Sequence, residues 1–228
     1  MSENKLNKQL IVLDKLYQLY DEECQRFNSV CQKHCADCCT RNVTITTLEG
    51  YRIIKHFQEN NQQDLIDKIK NLSNKNRFIP KITTNQMIEY YMENKELPEE
   101  ENDSSWGACP LLEDDACPTY LLRPFGCRCF LSQKKCGDFG EAFQDPYLIT
   151  MNTIFIQYIE YLDNKGFTGN FTDVLLYFDQ EKNQLKYVNE EMDSPTNLLP
   201  NHGIKALMIP PEHQTKANAL IKRIHSCF

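Results

Sequence analysis

The sequence predicts a mainly α-helical fold, a helical bundle interrupted by an irregular, cysteine-rich loop region. Three observations predict it. Apolar residues recur at alternating steps of four and three through the first thirty positions. The same helical period returns in later segments. Between residues 107 and 140, where cysteines and prolines crowd together, neither the helical nor the strand period is sustained. At 228 residues, with 41% hydrophobic and 11% aromatic side chains, the chain can bury a core of its own and needs no crosslinks to hold a miniature scaffold.

Taken in order, Leu6, Leu10, Leu13, Tyr17, Tyr20, Cys24, Phe27 and Cys31 form the seam of one long amphipathic helix. The seam sets Cys24 and Cys31 on one buried face, two turns apart, so the helix is expected to carry Cys31 inward. Thr46-Thr-Leu-Glu49 has the form of a capping box and opens a helix through Ile53, Ile54 and Phe57. Leu65, Ile66, Ile69 and Leu72 mark the next helix. Pro80 and the Thr83-Thr84 pair introduce another, with Met87, Ile88 and Tyr91. Residues 96–105 are acidic and polar, a surface loop. Pro146 stands where a first-turn proline is favoured, and the helix it opens has Leu148, Met151, Phe155, Ile159 and Leu162 on one face. Past Gly166, helices near residues 172–185 and 212–225 flank a stretch bearing Pro195, Pro200, Pro210 and Pro211. The expected organisation is a helical cysteine-cluster domain over residues 1–165 and a C-terminal helical extension over 166–228 packed on it, with no internal repeat and minor β structure.

Charge and composition exclude several classes. Twenty-five Lys and Arg against thirty-two Asp and Glu leave a net charge of −7 and no basic surplus for phosphates, so no nucleic acid is expected as a partner. Lys134 and Lys135, beside the later cysteines, are expected to be solvated surface. The opening residues show no basic segment leading into an apolar run, which predicts no export leader. The most apolar stretch, residues 147–162, contains Asn152, Gln157 and Glu160 and is too short and polar to span a bilayer, so no membrane role is expected. Asn42-Val-Thr44 and Asn170-Phe-Thr172 then match glycosylation acceptors by chance. The expected setting is cytoplasmic and reducing, where disulfides are disfavoured and ligation by thiolate is favoured. An odd count of eleven cysteines agrees with that, since an all-disulfide framework would leave one over.

The cysteines fall in two groups: Cys31-Gln-Lys-His-Cys35-Ala-Asp-Cys38-Cys39, and Cys109, Cys117, Cys127 and Cys136 some seventy residues later. Thiolate is the natural ligand of zinc, copper(I) and iron–sulfur clusters, so the irregular region reads as a metal-binding loop region. Adjacent Cys38 and Cys39 leave the backbone in different directions and more naturally serve two ions than one. Eight thiolates fill two four-sulfur tetrahedral sites, or one polynuclear centre with some cysteines left structural. A closed zinc tetrathiolate carries a charge of −2, and Arg123 and Arg128 are placed to offset it while orienting the ligands. Cys129, two residues from Cys127, and Cys24, on its helical face, are further ligand candidates. Cys227 is set aside, His34 is expected to face solvent, and His56, His202, His213 and His225 share no ligand spacing. No nucleophile–base–acid constellation is present, so catalytic residues are unassigned. The interval Cys31-x-x-x-Cys35-x-x-Cys38 is also that of radical enzymes using S-adenosylmethionine. Asp37 stands where those usually place an aromatic residue, the motif follows a helix rather than a strand, and no βα units come after it, so that assignment is rejected.

The ordered set of a cysteine group ending in Cys38-Cys39, Thr46-x-x-Glu49, Cys109-Pro-Leu-Leu, Cys117 with Tyr120, and Arg123-Pro-x-x-Cys127-Arg128 resembles the YkgJ-type cysteine-cluster proteins, described as zinc- or iron-chelating domains with a CxxCxxCC signature. The resemblance covers residues 31 to about 136. It departs from the signature in a first interval of three residues and in the extra Cys129. What it implies is chelation of zinc or iron with no assigned reaction. The expectation is therefore a protein whose partners are metal ions and whose cofactor is zinc or iron, an iron–sulfur cluster included. The alternatives are an iron–sulfur-dependent enzyme of redox or group transfer, and a thiol-based redox or metal sensor.

Overall fold

Ten α-helices and one small sheet make up the computed structural model, which describes residues 3–228; Met1 and Ser2, where the reading of the N-terminus begins, lie outside the described residues. The mainly α fold is as the sequence predicts. The helices are α1 (Glu3–Cys24), α2 (Thr47–Glu59), α3 (Gln63–Asn71), α4 (Thr84–Met92), α5 (Phe125–Arg128), α6 (Cys136–Phe139), α7 (Pro146–Leu162), α8 (Phe171–Phe178), α9 (Glu181–Val188) and α10 (Gln214–His225). Three short strands, β1 (Thr44–Thr46), β2 (Phe167–Asn170) and β3 (Leu198–Pro200), pair antiparallel in the order β1-β2-β3, with Ile45 opposite Gly169 and Gly169 opposite Leu198. No helix among the described residues is long and apolar enough to cross a membrane.

Local chemistry accounts for several of these boundaries. Thr46 caps α2 as a capping box, its hydroxyl accepting from the Glu49 amide while Glu49 reaches back to the Thr46 amide. Thr83 caps α4, and Asp145 with Pro146 in the first turn starts α7. Nearly the whole circumference of α7 is buried, and α1, α4 and α10 surround it in one continuous core with α2, α3 and α8. From α1 the core receives Leu6, Leu13, Leu16, Tyr17, Leu19 and Tyr20.

Two helices end sooner than the periodicity predicts. α1 stops at Cys24, where the next three amides tighten onto carbonyls three residues back, and Cys31 is not on the helix. Asn28, Ser29 and Val30 are weak helix formers, and a competing acceptor takes the Val30 donor. Val30 N–H bonds to the Ser132 carbonyl at 2.9 Å, and Cys31 N–H bonds to the Ser29 hydroxyl at 3.1 Å. Cys31 is therefore delivered by an extended tether. The single helix expected near 172–185 is split into α8 and α9. Side chains of α9 close the end of α8, with Asn183 Nδ2 on the Tyr177 carbonyl at 2.8 Å and Gln184 Nε2 on the Phe178 carbonyl at 2.7 Å.

The segment beyond residue 165 supplies the middle strand of the sheet and joins the same core as the first 165 residues. Its junction is a buried carboxylate. Asp163, at the end of α7, accepts from the Thr47 hydroxyl at 2.6 Å, the Leu48 amide at 2.8 Å and the Tyr187 hydroxyl at 2.8 Å, tying α7 to the start of α2 and to α9. Gly166 passes so close that a Cβ there would stand 2.1 Å from Thr47 Oγ1 and 2.4 Å from Asp163 Oδ1, which only glycine permits.

Burial pushes the Asp163 carboxyl from an ordinary 3.8 up to about 7, against the pull of its three donors. The native state then holds a proton that the unfolded chain has lost, so stability falls as pH rises from about 4 to about 7. The penalty reaches about 4 kcal/mol if the whole shift is expressed. Relative to Asp163→Asn, the wild-type urea midpoint should decline across that window and level off above it; a pH-independent difference would contradict the assignment.

Candidate functional site

The two cysteine segments meet through backbone hydrogen bonds. Thr40 and Ala108 form an antiparallel bridge, in which Cys109 N–H donates to the Cys39 carbonyl at 2.8 Å and Arg41 N–H to the Gly107 carbonyl at 3.1 Å. On the N-terminal side, two consecutive turns shape residues 32–39, closed by Cys35 N–H on Gln32 and Cys39 N–H on Ala36, with His34 exposed in the left-handed region at φ 70°. On the other side, Glu113 and Ala116 pair across Asp114 and Asp115, both with positive φ, a two-residue hairpin that returns Cys117 towards Cys109. A 3₁₀ turn at Tyr120–Leu122 then leads to α5.

The placement of α5 rests on Glu49. This carboxylate is 4% exposed and accepts four donors. Oε1 takes the Tyr17 hydroxyl at 2.6 Å and the Phe125 amide at 2.7 Å; Oε2 takes the Thr46 amide at 2.8 Å and its hydroxyl at 3.0 Å. The first free N–H of α5 is thus capped from α2, and the Phe125 ring is held in the core edge-on to Tyr20 and stacked on Phe155. Gly126 lets α5 lie against β1, because a Cβ there would approach the Thr44 carbonyl to 2.6 Å. Arg128 completes the fastening. Its guanidinium lies 4.4 Å from the Tyr17 ring centroid, pairs with Asp21 at 2.9 Å, and donates to the Arg123 and Leu121 carbonyls.

A cavity of about 150 Å³ results. Cys31, Cys35, Cys38 and Cys39 line it from the first segment, and Cys109, Cys117 and Cys127 from the second. Arg123 and Arg128 line it too, as does Arg41, which no sequence motif marks. The remaining four thiols lie outside its lining. Cys136 opens α6, which is tied to the first segment by the Gly137 amide on Asp37 at 3.0 Å, but it does not line the cavity. The Cys129 sulfur turns back to the Gly126 carbonyl at 3.5 Å, and Cys24 ends α1 beside Tyr20. Cys227 is buried at the end of α10, its sulfur on the Arg223 carbonyl. All eleven are free thiols.

The polar contacts of the sulfurs differ. Cys31 Sγ accepts the Ser132 amide at 3.2 Å, and Cys117 Sγ lies 3.2 Å from the Thr119 hydroxyl. Burial pushes the Cys109 thiol up to about 11, and pushes Cys127 well above the ordinary range with neighbouring Cys109 and Cys117 adding to it. Cys38 is raised by its hydrogen bond to Cys39 and then by burial; Cys35 is raised by burial. These thiols therefore hold their protons, which a thiophilic cation would have to displace. The donor set suits a thiophilic ion. Among the described residues, no three His, Cys, Asp or Glu side chains are yet gathered as a metal site, so such an ion would have to draw the sulfurs inward.

No family model, curated protein or solved structure matches the chain.

Glu49→Gln would turn an amide N–H₂ towards donors that need an acceptor. We expect a loss of about 2–4 kcal/mol in urea unfolding, together with faster alkylation of Cys127 in the native protein as α5 loosens. Unchanged stability and unchanged labelling would refute the role given to this carboxylate.

Proposed function

We propose that this protein chelates zinc or iron through the thiols of the cysteine cavity, as the resemblance to YkgJ-type proteins implies, in a reducing cytoplasmic setting. The observation that carries the proposal is the convergence of seven cysteines, from positions 31–39 and 109–127, on one cavity of about 150 Å³. Thiols so placed are costly to keep reduced and unligated, because close thiols oxidise and exchange. Cys38 and Cys39 would serve different ions or one ion and a packing role. Cys109, Cys117 and Cys127 would contribute from the hairpin and α5, and Cys136 would need its short helix to move. Arg128, already fixed by Asp21 and Tyr17, would offset charge from the cavity wall. The ion itself would supply a crosslink between the two segments, so binding and folding would be coupled.

Anaerobic purification, elemental analysis and a visible spectrum test this. One or two zinc per chain in a colourless preparation supports zinc chelation. A brown preparation with iron and acid-labile sulfide moves the proposal to the iron–sulfur alternative. Neither metal at stoichiometry would overturn both. Cys38→Ser and Cys109→Ser should each lower metal content and melting temperature together, whereas Cys227→Ser, in the core away from the cavity, should leave metal content unchanged.

A further inference from the structure

The chain has seven arginines, and five of them pair with carboxylates: Arg26 with Glu23, Arg52 with Asp14, Arg77 with Asp173, Arg128 with Asp21 and Arg223 with Glu22. Among the described residues the other two, Arg41 and Arg123, have no carboxylate partner, and both line the cysteine cavity. No Asp or Glu lines it. In a chain with an acidic excess of seven, two unpaired guanidiniums on one concavity are a local inversion of charge. Arg123 is the more exacting case. Its guanidinium is held 4.2 Å from the Tyr120 ring centroid, and its Nε is buried with no hydrogen-bond partner. A buried donor in that state is costly unless something outside the chain accepts from it. Arg41 is fixed through Nε to the Ala108 carbonyl at 3.1 Å, which leaves its terminal nitrogens uncommitted. Val43, Leu111, Leu131 and Phe171 give the same cavity apolar walls.

We propose that Arg41 and Arg123 hold an oxyanion, the carboxylate or phosphate end of a small molecule whose apolar part rests on those walls. A guanidinium matches either group with paired N–H donors. The proposal deepens the reading of this cavity as the working site, and it supplies that site with a ligand besides metal.

The test titrates acetate and orthophosphate separately, at low salt, into the full chain purified anaerobically, before and after chelation, with metal content measured on every sample. The expected result is saturable binding of one probe, which identifies the source of the anion. Affinity should fall at least about tenfold in Arg123→Gln and in Arg41→Gln, and stay unchanged in Arg26→Gln, with metal content unaltered. If Arg123→Gln fails to fold, Arg41→Gln carries the test. No binding of either probe to wild type, or an equal fall in Arg26→Gln, overturns the proposal. So does a variant that loses metal while probe affinity holds, because the guanidinium would then serve the sulfurs. Wild type that binds the probe but carries no metal would sink the metal reading alone.

Discussion

One buried carboxylate, Glu49, holds the cysteine region to the rest of the molecule. Its two oxygens collect donors from α1, from the cap of α2 and from the first turn of α5. A charge taken so far from water is tolerable only when its lone pairs are occupied by well-aligned donors, and here they are. Tyr17 extends the arrangement, since its hydroxyl serves Glu49 while its ring carries the Arg128 guanidinium. Removing any one member would leave a buried donor, acceptor or charge unmatched, so the parts constrain each other. Through Phe125 and Gly126 that constraint reaches Cys127, two residues on.

The cavity needs few other devices. One bridge between Thr40 and Ala108, one two-residue hairpin and the tether at Val30 are enough to bring segments about seventy residues apart onto a common space. None of these buries much apolar surface, so the loops depend on the core behind them for their geometry. The electrostatics of the space follow from its lining. Thiols kept protonated by burial and by one another stand beside guanidiniums, in a protein that is acidic overall. Such a lining favours species that relieve it, either a cation that replaces protons on sulfur or an anion that meets the arginines.

Much of this was legible in advance where the cause was local. The capping box at Thr46, the threonine cap before α4 and the proline start of α7 depend on residues within a turn of each other, and each stands where its residues put it. The cysteine types and their spacing marked the two segments that line the cavity. The end of α1 was not legible, because its heptad seam continues through Phe27 and Cys31 while the competing acceptor, Ser132, is a hundred residues away. Nor was the split between α8 and α9, since a side chain closing the preceding helix leaves no periodic trace. Arg41 carries no motif at all. Its significance lies in lacking a carboxylate, and that is a property of surroundings.

By itself, then, the sequence determined the helical class, the chief helix starts and the two cysteine-bearing segments, because each of these follows from residues that are neighbours along the chain. Only the tertiary structure decided which thiols share a cavity, that Cys136, Cys129 and Cys24 stand outside its lining, and that two arginines are left without partners inside it. Those outcomes depend on where long-range hydrogen bonds form and which charges find each other, and spacing in one dimension holds no record of either.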